Sequence, residues 1–205
     1  MPVKNIKELK TELRKKYRTL REDLSGEQKL RLDSEIQSRL LSLREYAKAD
    51  TVFTYISKEL EVDTLALVRA AWANHKRVAA PRCVPGTRDM EFYYICCMED
   101  LAPGTFGVME PVIERCEKAE DFTKGFCLVP GFSFDVQGFR LGYGRGYYDR
   151  FLSGFGGFTV GVCYSFCVQW NLPHGYYDRS VDILVTEKYV RRTSKKQGRE
   201  VYHAR

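Results

Sequence analysis

The chain lacks the features that mark membrane proteins, secreted proteins and proteins built around metal clusters. It has no run of about 18 apolar residues, which a membrane-spanning helix needs, and its first segment is rich in lysine rather than apolar like a secretory signal. It has only three histidines and an odd number of cysteines, seven, with no Cys-x-x-Cys spacing. Zinc sites and disulfide frameworks depend on such spacings. We therefore expect no membrane partner, no Cys/His metal site and a cytoplasmic location, where thiols stay reduced.

The composition that remains is typical of one globular domain. Of the 205 residues, 44% are hydrophobic and 29% are charged, and a chain of this length can bury a sizeable core. The formal net charge is +6. Much of that excess lies near the end of the chain, so we expect a single domain at 1–190 and a basic tail at 191–205 that frays. The sequence has no zinc-finger spacing or RNA-binding aromatic motif, so we expect no nucleic-acid partner.

Strands alternate with helices along most of the chain. Periodic apolar residues predict a first helix over 4–24, and Ser25-Gly26-Glu27-Gln28 resembles a capping box that opens a second helix. Short apolar runs predict strands over 51–57, over 77–80 (ended by Pro81) and over 126–129. This alternation favours a three-layer α/β/α fold with a largely parallel central sheet, whose ligands bind beyond the carboxyl ends of the strands.

Basic residues also recur along one face of the first helix, beside its apolar stripe. They are spaced by three or four residues, and they are Lys7, Lys10, Arg14, Arg18 and Arg21. For most of this basic ridge we expect a solvated face.

The most informative segment is a glycine loop, Gly142-Tyr143-Gly144-Arg145-Gly146, followed by an amphipathic run. Alternating glycines allow positive φ angles and close approach of the backbone to a ligand. Successive N–H groups can then converge on an anion, most favourably at a helix N-terminus. The pattern is neither a P-loop nor Gly-x-Gly-x-x-Gly, so the alternative is a plain turn between a strand and a helix.

The residues around this loop add charge of both signs. Arg140, Arg145 and Arg150 are basic, and Asp149 offers a carboxylate that could hold a divalent cation. The combination points to a nucleotide phosphate with magnesium. In the alternative interpretation, Tyr147 and Tyr148 pack into the core.

The longer string Gly-x-Gly-x-Gly-Tyr-Tyr-Asp-Arg-Phe-Leu is similar to the signature of the 5-formyltetrahydrofolate cyclo-ligase family, also called methenyltetrahydrofolate synthetase. The resemblance runs from about Lys10 to Glu187. Further segments that carry it are Lys10-Thr-Glu-Leu-Arg14, Glu61-Val-Asp-Thr64, Phe106-Gly-Val-Met-Glu110-Pro111 and Asp178-Arg-Ser-Val-Asp182. The chain departs from the family at Tyr177, where a histidine is common, and at His75, where glycine is frequent.

The resemblance implies a set of site residues. Those implied to bind ATP are Lys10, Arg14, Arg140, Gly142, Tyr143, Gly144, Arg145, Gly146, Tyr147 and Tyr148. Those implied to bind the folate are Glu61, Tyr143, Gly144, Arg145, Gly146 and Tyr147. Arg145 and Tyr148 are the implied catalytic residues, and Asp149 and Asp178 the implied ligands of Mg²⁺. Glu59 competes with Glu61, and Asp135 and Asp182 are acids that we expect to be structural. Glu110 has no chemical role that the sequence can assign.

The resemblance also implies a reaction. An ATP- and Mg²⁺-dependent ligase would convert 5-formyltetrahydrofolate, with or without a polyglutamate tail, to 5,10-methenyltetrahydrofolate, ADP and phosphate. The implied architecture resembles the NagB/RpiA/CoA-transferase-like fold, and we expect a monomer. Two alternatives stay open: another enzyme on this scaffold, such as a sugar-phosphate isomerase or an acyl-CoA transferase, and a nucleic-acid-binding module that uses the basic first helix and tail.

Overall fold

The computed structural model describes residues 5–193, which form five α-helices and twelve strands in that range. The helices are α1 (Ile6–Glu22), α2 (Gly26–Leu41), α3 (Arg44–Lys48), α4 (Leu65–Ala73) and α5 (Tyr147–Gly154). The first six strands are β1 (Thr51–Phe53), β2 (Arg77–Cys83), β3 (Met90–Ile95), β4 (Leu101–Pro103), β5 (Met109–Pro111) and β6 (Phe126–Val129). The other six are β7 (Ser133–Asp135), β8 (Arg140–Leu141), β9 (Phe158–Val162), β10 (Val168–Gln169), β11 (Ile183–Val185) and β12 (Val190–Arg192).

Seven strands form the central sheet in the order β12-β11-β9-β6-β1-β2-β3. The five inner strands pair in parallel, and the two edge strands, β12 and β3, are antiparallel to their neighbours. Two smaller sheets, β10-β7-β8 and β4-β5, lie outside it. The largely parallel sheet that the alternation of strands and helices predicts is therefore confirmed.

Helices cover both faces of this sheet. On one face Phe53 of β1 packs its ring 5.3 Å from that of Phe155 and 6.5 Å from that of Phe151, near the end of α5. Phe53 is in register with Cys127 of β6, so the neighbouring Phe126 points to the opposite face. There its ring lies 5.6 Å from that of Tyr46 in α3. The chain thus has helix, sheet and helix layers.

The direction of the strand order reverses between β1 and β6. From β1 the chain passes through α4 to β2 on one side, whereas from β6 it passes through α5 to β9 on the other. Right-handed crossovers in opposite directions put the two helices on opposite faces. The loops that leave β1 and β6 then diverge, and the crevice between them is where open α/β sheets bind ligands.

The helix starts follow the sequence closely. Ser25 and Gln28 form the capping box that their spacing predicts: each side chain accepts from the other residue's backbone N–H. At the start of α1 the Asn5 side chain accepts from the Lys7 N–H. At α4, Asp63 caps with both carboxylate oxygens, which accept from Leu65 N and Ala66 N.

Two strand predictions were wrong. β1 ends at Phe53 rather than at residue 57, because the following residues leave the sheet to build a loop. In that loop the Thr64 hydroxyl donates to the carbonyl of Tyr55. β2 continues through Pro81 to Cys83, opposite β3. β1 does not pair with this part of β2, so Pro81 needs no N–H on that side. Proline is tolerated at such an open edge of a sheet.

The end of the described chain is an edge strand. Arg191 and Arg192, the first residues of the predicted basic tail, lie in β12 beside β11. The remainder of that tail, 194–205, lies outside the described residues. Within 5–193 none of the helices is both long and apolar enough to cross a bilayer. All seven cysteines are free thiols.

Candidate active site

The glycine loop lies directly before α5, as its sequence predicts. Gly144 has a φ of +90° and Gly146, which caps α5, has a φ of +79°. These two positions need glycine because side chains strongly disfavour such angles. Gly142 has no positive φ, and a Cβ there would meet only ordinary contacts. The loop therefore presents its backbone at the N-terminus of a helix that begins at Tyr147.

Two basic residues of α1 reach the glycine loop. Arg14 donates from Nε to the carbonyl of Gly142 over 2.8 Å, and its Nη2 lies 3.0 Å from where a Cβ on Gly144 would be. One helical turn earlier, Lys10 places Nζ 3.0 Å from Oδ2 of Asp178. The fold thus brings together the distant segments that the sequence singles out.

The carboxyl of Asp178 is held in its charged form. Burial alone would raise its pKa, but the Gly175 N–H, at 2.8 Å, and the Lys10 ammonium outweigh burial, so the pKa lies below its ordinary value. The adjoining residue, Arg179, donates its N–H to Oδ1 of Asp149 over 3.1 Å. That hydrogen bond keeps the two candidate metal ligands, Asp149 and Asp178, in neighbouring positions.

Asp149 stands in the first turn of α5 and is paired with Arg140. Their ion pair measures 2.9 Å between Arg140 Nη2 and Asp149 Oδ1, and the arginine side chain is 5% exposed. Nη1 of Arg140 donates to the carbonyl of Arg179. Arg140 therefore lies beneath the loop and orients Asp149 and the 178–179 segment.

The two carboxylates suit magnesium held together with a nucleotide. Among the described residues, Oδ2 of Asp149 and Oδ1 of Asp178 accept no hydrogen bond. Within the same range, no three acidic, histidine or cysteine residues are grouped so as to hold a metal by themselves. Mg²⁺ typically takes one or two carboxylates and completes its shell with water and substrate phosphates. Two neighbouring carboxylates beside the glycine loop are compatible with this mode of magnesium binding.

Glu61 contacts the glycine loop from the segment that follows β1. Its side chain is buried, with the residue 7% exposed. Oε2 accepts from the Lys58 N–H over 2.9 Å, and Oε1 accepts from the Tyr143 hydroxyl over 2.5 Å. The competing acid Glu59 is exposed. The Glu61–Tyr143 hydrogen bond joins the candidate folate residue to the glycine loop.

Tyr143 is half exposed and stays protonated. Its ring lies 4.7 Å from that of Phe132. Burial and then the neighbouring Glu61 carboxylate, by its charge and its hydrogen bond, raise the pKa of the Tyr143 hydroxyl. A neutral tyrosine can keep donating to Glu61.

The paired tyrosines after the loop have different surroundings. Tyr148 packs against the core, with its hydroxyl buried and without a hydrogen-bond partner in the described part of the chain. The guanidinium of Arg140 lies 5.8 Å from the Tyr148 ring centre. Tyr147 donates to the carbonyl of Thr87 over 3.3 Å. Of the two, Tyr147 is therefore the one whose side chain faces a ligand space.

That ligand space is a cleft of about 700 Å³ between the β2–β3 turn and the glycine loop. Its lining residues are Gly86, Thr87, Arg88, Asp89, Tyr143, Gly144, Arg145, Tyr147 and Arg150. Arg145 is exposed at its rim, and Arg150 pairs with Asp89 over 2.6 Å. The residues of the β2–β3 turn were not predicted from the sequence, because only the fold brings that turn opposite the loop.

Several other acids turn out to support structure. Asp135 is fully buried and accepts from the backbone N–H groups of three residues, while Asp182 holds both the amide and the hydroxyl of Thr159. Both were expected to be structural, and their contacts agree with this. Glu110, unassigned from sequence, is buried and accepts from the Cys83 N–H over 3.3 Å. Tyr177, at the family's histidine position, is 79% exposed.

The parallel sheet, the reversal of strand order and the loops that meet there define an α/β enzyme with its site at the switch point. A family model described as the 5-formyltetrahydrofolate cyclo-ligase family matches residues 6–187. The chain belongs to this family, so the resemblance seen in the sequence is confirmed.

Individual relatives agree with this assignment. A probable 5-formyltetrahydrofolate cyclo-ligase of Schizosaccharomyces pombe is 31% identical over 173 residues, which cover 76% of this chain and 84% of the relative. The 5-formyltetrahydrofolate cyclo-ligase of Haemophilus influenzae is 29% identical, covering 90% of this chain and 100% of the relative. The NMR structure of the 5,10-methenyltetrahydrofolate synthetase of Aquifex aeolicus superposes with a TM-score of 0.78 at 38% identity, covering 96% of this chain and 100% of that one.

Proposed function

We propose that this enzyme converts 5-formyltetrahydrofolate to 5,10-methenyltetrahydrofolate with consumption of ATP, in the presence of Mg²⁺. The observation that carries the proposal is the juxtaposition at the switch point. Arg14 binds the glycine loop and Lys10 binds Asp178, while Glu61 is joined to the same loop through Tyr143. A reaction between a nucleotide phosphate and a folate needs such neighbouring subsites.

The phosphates of ATP would lie at the N-terminus of α5. There the backbone N–H groups of the loop and the helix dipole favour an anion. Lys10 supplies a mobile point charge, and Arg14, already fixed to the Gly142 carbonyl, supplies a planar fork of donors. Asp149 and Asp178 would hold Mg²⁺, which neutralises charge on the phosphates when bound.

The folate would occupy the cleft between the loop and the β2–β3 turn. Glu61 can accept hydrogen bonds from the amino-pyrimidine edge of the pterin if the Tyr143 hydroxyl moves away from Oε1. Tyr147 walls the cleft, and the rim carries Arg88 and Arg145. These arginines can bind the glutamate carboxylates, so we propose that a polyglutamate tail extends along this rim.

The chemistry follows from the poor leaving ability of a formyl oxygen. Attack of that oxygen on the γ-phosphorus of ATP releases ADP and leaves a phosphorylated formyl group. N10 then attacks the formyl carbon and loses its proton, and the C–O bond breaks to release phosphate and close the ring. Such transfers depend on positioning and charge neutralisation. Lys10, Arg14 and Arg145 supply positive charge, whereas Tyr148, with its sealed hydroxyl, supports the loop by packing.

The test is to incubate the purified protein with 5-formyltetrahydrofolate, ATP and Mg²⁺ and follow the absorbance of the methenyl product. We expect product only when both ATP and Mg²⁺ are present, with one ADP per product. Turnover without ATP, or ATP hydrolysis that folate does not stimulate, would contradict the proposal. A monomeric state and a cytoplasmic location stay predictions, which gel filtration and cell fractionation can check.

A further inference from the structure

Arg21, near the end of α1, is buried although the sequence suggests a solvated basic ridge. The residue is 4% exposed. Nη1 donates to the carbonyl of Leu60 over 3.2 Å, and Nη2 donates to the carbonyls of Gly131 and Phe132 over 2.6 and 3.0 Å. The guanidinium is thus held by backbone carbonyls of two separate segments, not by a carboxylate.

These two segments flank the switch point. Leu60 lies in the loop after β1, immediately before Glu61, and Gly131 lies in the turn after β6. The ring of Phe132 lies 5.6 Å from the Arg21 guanidinium on one side and 4.7 Å from the ring of Tyr143 on the other. Arg21 therefore contacts a neighbour of each residue in the Glu61–Tyr143 hydrogen bond: Leu60 precedes Glu61, and Phe132 packs against Tyr143.

Burying a cation costs free energy of folding unless hydrogen bonds compensate it, and apolar residues in its place often give equal stability. The contacts of Arg21 point to a role beyond stability, because they fix the relative position of two loops that diverge from the sheet. A rigid, planar fork suits this task, since its donors can reach acceptors on different segments at once. Lysine, with a single nitrogen, cannot span the same carbonyls in the same geometry.

We propose that Arg21 is a positioning residue for folate: it locks the loop before Glu61 to the turn under Tyr143, so that the Glu61 carboxylate stays hydrogen-bonded to Tyr143 at the wall of the folate cleft. The inference rests on the proposed role of Glu61 in folate binding. It concerns the folate half of the site, because the residues implied to bind phosphate lie on the earlier turns of α1 at Lys10 and Arg14.

The test is to compare Arg21→Lys and Arg21→Gln with the wild type. We expect KM for 5-formyltetrahydrofolate to rise about tenfold in Arg21→Gln, the equivalent of about 1.4 kcal/mol, with KM for ATP nearly unchanged. Arg21→Lys should recover part of the loss. A matched control is Thr159→Val, which removes a buried hydroxyl–carboxylate contact between β9 and Asp182. It should lower stability and leave the ratio of the two KM values unchanged.

A second measurement ties the effect to Glu61. In the Tyr143→Phe background, Arg21→Lys should raise the folate KM by less than it does in the wild type, because both changes act through the same carboxylate. Equal rises of KM for folate and ATP, or additive effects of the two substitutions, would overturn the inference. If Arg21→Gln does not fold, the KM values of Arg21→Lys alone decide between these outcomes.

Failure of this inference is distinguishable from failure of the proposed function. Glu61→Gln measures the folate role of the carboxylate itself. If Glu61→Gln weakens folate binding and Arg21→Lys does not, Arg21 has only a structural role. If neither variant changes folate binding, the assignment of Glu61 is wrong, and the inference falls with it.

Discussion

Removing the ammonium group of Lys10 tests the nucleotide half of the site. Lys10 Nζ lies 3.0 Å from Asp178 Oδ2, and the two side chains are 21% and 25% exposed. At an effective dielectric constant of about 20, two charges at this distance attract each other by about 5 kcal/mol before desolvation. Desolvation and side-chain ordering reduce the net value of such a pair to about 0–1 kcal/mol. Lys10→Ala should therefore change the free energy of unfolding by no more than about 1 kcal/mol.

The effect on ATP should be larger than the effect on stability. A charge-assisted hydrogen bond to phosphate is worth about 1.5–3 kcal/mol, and releasing Lys10 from Asp178 offsets up to about 1 kcal/mol of it. The difference, about 0.5–3 kcal/mol, corresponds to a rise of about 2- to 150-fold in KM for ATP. KM for 5-formyltetrahydrofolate should stay nearly constant, because Lys10 contacts Asp178, whereas Glu61 is bound by Lys58 and Tyr143.

Steady-state kinetics with each substrate varied in turn, and urea unfolding, measure these quantities. Lys7→Ala is the matched control, since Lys7 is an exposed lysine of the same ridge; it should leave KM for ATP nearly unchanged. An unchanged KM for ATP in Lys10→Ala would remove Lys10 from the site. A rise shared equally by both substrates would indicate a general disturbance of α1 instead.

Lys10→Ala should also change how the free energy of unfolding depends on acidic pH. The pKa of Asp178 in the folded protein is below its ordinary value, where burial is outweighed by the Gly175 N–H and the Lys10 ammonium. The stability that this provides is present above the ordinary aspartate pKa of about 3.9, and it is lost as pH falls through the folded pKa. Without Lys10, the folded pKa of Asp178 moves up toward its unfolded value, so Lys10→Ala should lose less stability than the wild type as the pH falls through this range. Urea unfolding over a series of acidic pH values measures this shift.

Three further substitutions test the loop and its helix. Gly144→Ala should raise KM for ATP about tenfold, because a side chain at a φ of +90° costs about 1–2 kcal/mol and its Cβ would press on Arg14. The control is Gly107→Ala, which also places a side chain at a positive φ but in open space. Steady-state kinetics should show no change of KM for ATP in this control. Tyr148→Phe should raise the free energy of unfolding by about 1 kcal/mol in urea, because it removes a buried hydroxyl without a partner. Asp149→Asn should lower kcat about 10²-fold and raise the Mg²⁺ concentration needed for half-activity, with an unchanged circular dichroism spectrum.

Local sequence signals predicted the parts of the fold that local physics controls. The Ser25–Gln28 capping box and the glycine loop at the start of α5 formed as expected, because each depends on residues a few positions apart. The alternation of helices and strands predicted the parallel sheet. Pro81 misled the strand assignment, since its tolerance depends on where the neighbouring strand ends.

The parts that long-range packing controls could not be read from the sequence. The spacing of Arg21 matched that of the other basic residues of the ridge, and only the convergence of three carbonyls from two loops explains its burial. The hydrogen bond between Glu61 and Tyr143 joins residues 82 positions apart. The resemblance to a known family implied both residues, but it did not indicate that they contact each other.

The fate of the formyl oxygen shows whether the formyl group is phosphorylated. With 5-formyltetrahydrofolate labelled with ¹⁸O in the formyl group, and with ATP and Mg²⁺, we expect each turnover to place the label in the released phosphate, since that oxygen attacks the γ-phosphorus and leaves with it. Label that appears in water, with unlabelled phosphate, would contradict phosphorylation of the formyl group and hence the joint use of the two halves of this site.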